Sequence, residues 1–429
     1  MTHDELLRLL EIYHKETDDN VIGVGYGYKI TNNQLTDEKS IVFTVKSKLP
    51  KDQISADKLL PATLTISENV IVSTDVVQDT LKALTCDPNF YTWQTTWPTN
   101  RKNTFRPLKG GISISSIPQT ANVLWELGTL GTLAVDNETN SLIGLTNNHV
   151  AINSAFFCSE RNRNDLRENI VTDAVYQNLE ITGLTQSILA NYQTKIIGYP
   201  KRYYPFTKLG YNYIDAAVIT IDSGLDPSSN PYINNPLSMY QEGLTGATIP
   251  IPFATTAEIN NLMSTNPLLY SAGRTTGAKG EGITKLKLYQ FPAVGTISGY
   301  RNQHFSDTAD FSDLIVFVAV ENVGTPIPTG STITGLCAYP IYPGDSGSAL
   351  IADIGGVKKI VGLCFAGGTY TALACRIDRI VNMMNVSAWN GSAVNYSDIT
   401  NIQSVLVDGQ SADPYIDVLG VRYWQAGLV

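Results

Sequence analysis

Three short segments carry the residue types that nucleophilic catalysis requires. Gly344-Asp345-Ser346-Gly347-Ser348 follows Pro343 and precedes the apolar run Ala349-Leu350-Ile351, a pattern that predicts a tight turn feeding a strand. A serine in such a turn exposes its Oγ. The backbone of Gly344, Asp345 and Ser346, chiefly the N–H groups of Gly344 and Ser346, then converges on one point where an oxyanion can be held. A hydroxyl becomes an effective nucleophile when an imidazole takes its proton and a carboxylate fixes the imidazole tautomer. Of the four histidines, His3 and His14 fall on an N-terminal helical stripe and read as helix-surface or partly packed residues, and His304 falls in a polar loop. His149 instead closes a β-like run, Leu142-Ile143-Gly144-Leu145-Thr146, after Asn147-Asn148. Asp215 heads the apolar run Ala216-Ala217-Val218-Ile219, where a carboxylate is costly to bury unless it is paired, and a donated imidazole N–H is such a pairing. Taken singly, each segment has a plainer reading: Gly-x-Ser is commonly a turn, and Asp before an apolar strand is commonly a cap.

The elements that must position these groups are mostly short strands. From Gly110 to about Asn385 the chain is a succession of apolar runs punctuated by Gly, Pro, Asn and Asp, the pattern of barrels or a sandwich, with Arg376 to Met384 as a closing helix. Ahead of it, Thr2-His3-Asp4-Glu5 has the capping-box pattern before the apolar stripe Leu6, Leu7, Leu9, Leu10 and Tyr13. Strands are expected at Val21–Ile30, Ser40–Val45 and Val70–Val77, with a second short helix over Lys51–Leu60, together a small α+β module. The glycines of Val24-Gly25-Tyr26-Gly27 do not make a nucleotide loop, because Tyr28 stands where a third glycine is needed and the chain runs on as a strand.

Composition narrows the partners. At 429 residues, 43% hydrophobic and 16% charged, the chain has material for more than one folded core, and a net charge of −9 supplies no broad positive field for nucleic acid. The one basic cluster, Arg161, Arg163 and Arg167, is interrupted by Glu160, Asp165 and Glu168 and reads as a solvated face. The N-terminus lacks the charged start and apolar run of a secretory signal, and no stretch reaches membrane-spanning length, so a cytoplasmic chain without membrane contact is expected. Cys86, Cys158, Cys337, Cys364 and Cys375 are odd in number and show no metal spacing; reduced thiols, no metal and no cofactor are expected.

In combination, the order His149, Asp215, Ser346 and the motif Gly344-Asp345-Ser346-Gly347 resemble the chymotrypsin/trypsin superfamily of serine proteases. Subtilisin-like enzymes run Asp, His, Ser, and α/β-hydrolases run Ser, acid, His with a Gly-x-Ser-x-Gly motif that Ser348 breaks here. The resemblance implies a mainly β, two-barrel chymotrypsin-like fold. Its expected divisions are an N-terminal α+β accessory module over 1–95, a linker over 96–109, a first barrel over 110–240, a second barrel with the closing helix over 241–387, and a β-rich C-terminal extension over 388–429. It further implies that Gly362-Leu363-Cys364-Phe365-Ala366-Gly367 is the strand that pairs with substrate backbone, so Phe365, Ala366 and Gly367 bind substrate. Pro340 stands at the pocket base, six residues before the nucleophile, where trypsin-type enzymes place an acid. A small or apolar residue before the cut is therefore expected.

Asn147-Asn148-His149, Gly273-Arg274-Thr275-Thr276-Gly277 and the N-terminal Val-x-Gly-Val-Gly-Tyr hairpin are similar to intracellular bacterial and plant Narrow-Leaf-type trypsin-like proteins. Phe365 replaces the family serine that donates to the aspartate, which calls for another donor to Asp215. Lys109-Gly110 faintly resembles a zymogen activation site, whose freed amine would pair with Asp345. The reading is a serine endopeptidase acting on protein or peptide substrates, regulated by the accessory module or a protein partner. Its alternatives are a catalytically silent binding protein with a blocked cleft and an esterase using the same triad.

Overall fold

The capping box at the N-terminus forms as the residue pattern requires: the Thr2 hydroxyl accepts the Glu5 N–H, and the Glu5 carboxylate accepts the Thr2 N–H, starting helix α1 (His3–Glu16). The structure is a computed structural model that describes residues 1–32, 34–67, 70–84, 108, 110–116, 127–151, 175–177, 196–198, 200–204, 206, 210–221, 251–280, 284–301, 306–321, 336–337, 340–390, 415–418 and 421–424. The apolar stripe of α1 is buried: Leu6, Leu7 and Leu10 share a cluster with Val24, Ile41, Phe43 and Val294.

Strands β1 (Val21–Thr31) and β2 (Gln34–Val45) form the expected hairpin, β2 beginning earlier than its apolar residues suggest, and Asn32 takes the left-handed conformation in the turn. β3 (Thr63–Ser67) and β4 (Val70–Gln78) extend this sheet, β4 lying parallel to β2. The expected helix over Lys51–Leu60 is two single 3-10 turns, Lys51–Gln53 and Ala56–Lys58. Neither turn buries a residue, so no packed face compensates the cost of nucleating a longer helix. After β4 comes a two-residue strand, β5 (Lys82–Ala83).

The next strands fall into two small sheets. β6 (Ile112–Ser116), β7 (Leu127–Leu130), β10 (Val175–Gln177) and β11 (Ile196–Gly198) pair in the order β11-β10-β6-β7. β8 (Thr132–Asp136), β9 (Ser141–Thr146), β12 (Pro200–Tyr203), β13 (Ala217–Thr220) and β22 (Val386–Ala388) pair as β12-β13-β9-β8-β22. A common core of Ile112, Ile114, Leu130, Leu133, Leu142, Val150, Ile197, Ala217 and Ile219 lies between them. A buried network ties this unit to the chain beyond: Arg202 donates to both Asp136 carboxylate oxygens and to the Met384 carbonyl, and Lys201 also pairs with Asp136.

The remaining strands close a barrel. β14 (Leu269–Gly273), β16 (Thr284–Arg301), β17 (Ser306–Glu321), β19 (Ala349–Ile354), β20 (Val357–Gly367) and β21 (Thr371–Arg376) run β14-β19-β20-β21-β17-β16, and Leu286 on β16 pairs back to Leu269 on β14. The ring has six strands and no free edge along that circuit. Short strands β15 (Gly277–Lys279) and β18 (Leu336–Cys337) pair with β14 and β17. The closing helix is present as Ile377–Met384, with Arg376 at its N-cap. The architecture is thus mainly β, as expected.

The N-terminal strands are continuous with this barrel: β1 pairs with β16 through Gly23↔Gly295 and Val24↔Val294. His3 and His14 are both engaged at this junction, His3 with Asp313 and Arg376, His14 with Tyr211 and Thr296. Of the C-terminal extension, a hairpin of Tyr415–Val418 and Val421–Trp424 is described. The basic cluster 161–167, His304, Cys86, Cys158 and Lys109 lie outside the described residues. No helix among the described residues is long and apolar enough to cross a membrane.

Candidate active site

Strand register brings His149 and Asp215 together across a sequence separation of 66 residues. β9 and β13 are antiparallel with Thr146 opposite Ala217, so the chain leaving β9 and the chain entering β13 meet at the same end of the sheet. His149 lies three residues past that pair, on the one-turn helix α2 (Asn148–Ala151), and Asp215 lies two residues before it. The two asparagines ahead of His149 fix the corner: Asn147 Nδ2 donates to the Asp215 carbonyl at 2.6 Å, and Asn148 Nδ2 donates to the Tyr204 carbonyl at 2.9 Å.

Ser346 arrives from the closed barrel, on the turn before β19. The three groups then form one line: His149 Nδ1 is 2.5 Å from Asp215 Oδ2, and His149 Nε2 is 2.8 Å from Ser346 Oγ. All three residues are at most 1% exposed. In this geometry the carboxylate accepts a hydrogen bond from Nδ1–H, which makes Nε2 the acceptor for the serine hydroxyl. Asp215 is further held by the His149 backbone N–H at 3.3 Å and by the Tyr300 hydroxyl at 3.4 Å. Tyr300, buried edge-on to the His149 ring at 5.9 Å, is the donor called for when Phe365 replaces a serine. Sequence reading missed it because it lies 85 residues from Asp215 on a long strand with no local motif.

The Ser346 turn is built on two positive-φ glycines, Gly344 at 95° and Gly347 at 91°, a conformation strained for any residue with a Cβ. The buried Asp345 carboxylate accepts three backbone N–H groups, from Thr275 at 2.7 Å, Thr276 at 3.0 Å and Tyr342 at 2.9 Å. These bonds satisfy Asp345 from within the chain. They also give the Gly273–Gly277 segment a structural purpose that its sequence likeness did not reveal. From the first unit, Thr129 clasps the same turn: its N–H donates to the Ser346 carbonyl at 2.7 Å and its hydroxyl to the Gly344 carbonyl at 2.9 Å.

Of the expected oxyanion groups, the Gly344 N–H points into the cleft, whereas the Asp345 N–H is spent inside the turn on the Tyr342 carbonyl at 2.9 Å. What the Gly344 N–H meets is the Leu84 carbonyl, at 3.2 Å. Phe365, Ala366 and Gly367 lie along β20 beside the cleft, all three carrying the pairing of Leu84 and β5. Pro340 is buried just before Ile341, a member of the same core. Cys364 and Cys375 are buried free thiols: burial pushes Cys364 up to about 12 and Cys375 well above the ordinary thiol value. Among the described residues there is no cluster able to hold a metal ion.

No protein-family model matches the chain, and no curated protein sequence does. Among solved structures it is similar to Thermobifida fusca Protease A, at 12% identity and TM-score 0.34, over 66% of this chain and 97% of that one. It is similar also to Nocardiopsis protease, at 15% identity and TM-score 0.33, over 66% and 98% of the two chains. A third such structure is Cellulomonas bogoriensis chymotrypsin, at 13% identity and TM-score 0.32, again over 66% and 98%.

Proposed function

We propose that the protein is a chymotrypsin-type serine endopeptidase in which Ser346 is the nucleophile, His149 the general base and acid, and Asp215 the group that orients and stabilises the imidazolium. The observation that carries this reading is the unbroken Asp215–His149–Ser346 line at 2.5 and 2.8 Å, with a backbone N–H of the same turn pointing into the cleft. In the reaction, Ser346 Oγ adds to the substrate carbonyl as His149 Nε2 takes its proton. The Gly344 N–H, with that of Ser346, receives the developing oxyanion, and His149 returns the proton to the leaving amine. Water then repeats the sequence on the acyl-enzyme. The substrate class is protein or peptide, in the cytoplasm, with the accessory module or a protein partner as regulator.

One observation favours the silent-protein reading: the cleft already holds the chain's own Leu84. A fluorophosphonate probe separates the two readings, labelling an enzyme at Ser346 and leaving the Ser346→Ala variant unlabelled. Peptide-library turnover then separates peptidase from esterase. Ser346→Ala and His149→Ala should each lower turnover by about three orders of magnitude or more, with the double variant little worse, because the groups act as a unit.

A further inference from the structure

The segment 81–84 lies in the catalytic cleft in the way the acyl half of a substrate would. Lys82 and Ala83 form β5, antiparallel to β20 through Gly367↔Lys82 and Ala366↔Ala83. The Leu84 N–H donates to the Phe365 carbonyl at 3.0 Å, continuing that ladder by one residue. The Leu84 carbonyl oxygen then sits 3.2 Å from the Gly344 nitrogen, whose N–H it accepts, and 3.2 Å from Ser346 Oγ. On the other side the Leu81 carbonyl accepts from Ser298 N–H at 3.0 Å and from the Ser298 hydroxyl at 3.1 Å. Upstream, the Asp79 carboxylate caps the turn between β20 and β21, accepting the N–H groups of Thr369, Tyr370 and Thr371. The segment is thus fastened at both ends.

A strand that merely filled the groove would need apolar side chains and a backbone ladder. It would not need its carbonyl placed at once against the nucleophile and the oxyanion donor. The Leu84 side chain, 5% exposed, belongs to the same apolar core as Ile341, Phe365 and Ala366. Resting on the serine endopeptidase reading above, we infer that the Leu84–Thr85 peptide bond is a substrate of the protein's own active site, cleaved within one chain, with leucine as the residue preferred before the cut.

The step balances without any added reagent except water. Ser346 Oγ bonds to the Leu84 carbonyl carbon and its proton passes to His149 Nε2. The Leu84–Thr85 C–N bond breaks, the proton leaves with the Thr85 amine, and an ester joins Leu84 to Ser346. Water, giving a proton to His149, then hydrolyses the ester to the Leu84 carboxylate and restores the Ser346 hydroxyl. Tethering makes the reaction unimolecular. The two products stay together in native conditions through the pairing of β1 with β16.

The test is intact mass spectrometry under denaturing conditions on purified full-length chain, with identification of new N-termini, run on wild type, Ser346→Ala and Leu84→Asp. Wild type should give fragments 1–84 and 85–429, with a rate constant unchanged across a hundredfold range of protein concentration. Ser346→Ala should stay whole, and Leu84→Asp should be cut at least about 100-fold more slowly, since a carboxylate is poorly accommodated in an apolar pocket. Leu84→Gly, which adds no charge, repeats the comparison if Leu84→Asp does not fold. A wild-type chain that remains whole at Leu84, while the Leu84→Asp protein labels with fluorophosphonate or turns over leucine peptides, overturns self-cleavage and leaves the endopeptidase reading standing. Cleavage undiminished in Ser346→Ala overturns it too, and a protein that neither cuts itself nor labels in any of these forms overturns both.

Discussion

Tyr300→Phe removes one oxygen from the site and leaves the ring. That ring is fully buried, edge-on to His149 at 5.9 Å and stacked among Phe206 at 4.9 Å and Phe311 at 5.9 Å, so packing is preserved and folding stability should change by less than about 1 kcal/mol. The lost hydroxyl donates to Asp215 Oδ2 at 3.4 Å, the outer limit of hydrogen-bond length. A bond to a carboxylate is worth about 1.5–3 kcal/mol at good geometry; at this length about 1 kcal/mol is the reasonable share, a factor of roughly 5 in rate. A tyrosine that acts through Asp215 should lower kcat by about that factor and leave KM unchanged. Asp215→Asn alone should cost on the order of 10⁴ in kcat, as an amide no longer selects the required imidazole tautomer. Adding Tyr300→Phe to it should cost nothing further. Steady-state turnover of a leucine peptide by the four proteins, with urea unfolding as control, gives the whole cycle. A fall beyond about 100-fold in Tyr300→Phe, or losses that multiply with Asp215→Asn, would refute a role through the carboxylate.

Asp345→Ala strips an acceptor from three backbone N–H groups, and at about 1–3 kcal/mol for each buried donor left unmet, with water relieving part of the loss, about 3–6 kcal/mol of stability should disappear in urea melts. A midpoint close to wild type would show that the turn is held otherwise. Arg202 and Lys201 hold the Asp136 carboxyl down at about 2 against the opposing effect of burial. Its folded value is depressed, so its contribution, at most about 2 kcal/mol, is complete above pH 4 and is lost as the pH falls from 4 to 2. Asp136→Asn should flatten that part of the acid unfolding curve; an unchanged curve would assign the acid sensitivity elsewhere. Cys364 and Cys375, buried and with raised thiol values, should resist iodoacetamide at pH 8 in the native protein and react after unfolding, as read by mass mapping. Native alkylation of Cys364 would mean that its side chain opens to the cleft.

What the sequence determined by itself was local. A serine between glycines before an apolar strand, a histidine ending one strand and an aspartate heading another are each written in a few consecutive residues, and their chain order resembles that of one type of triad. The capped helix α1 and the β1–β2 hairpin were legible for the same reason: capping and turn preferences act over three or four residues. The 3-10 turns at 51–58 show the limit of that reasoning, since helical composition there met no surface to pack against. Everything that makes the three groups a site was settled by register between distant strands. Thr146 opposite Ala217 joins histidine to aspartate, Thr129 and Thr275 lock the serine turn, Tyr300 supplies the donor that Phe365 does not, and Ala83 opposite Ala366 sets Leu84 against Ser346. No pattern in the chain encodes those pairings, because sliding one strand by two residues keeps the same faces buried while moving every partner. Only the closed packing of the whole sheet selects the one register in which they meet.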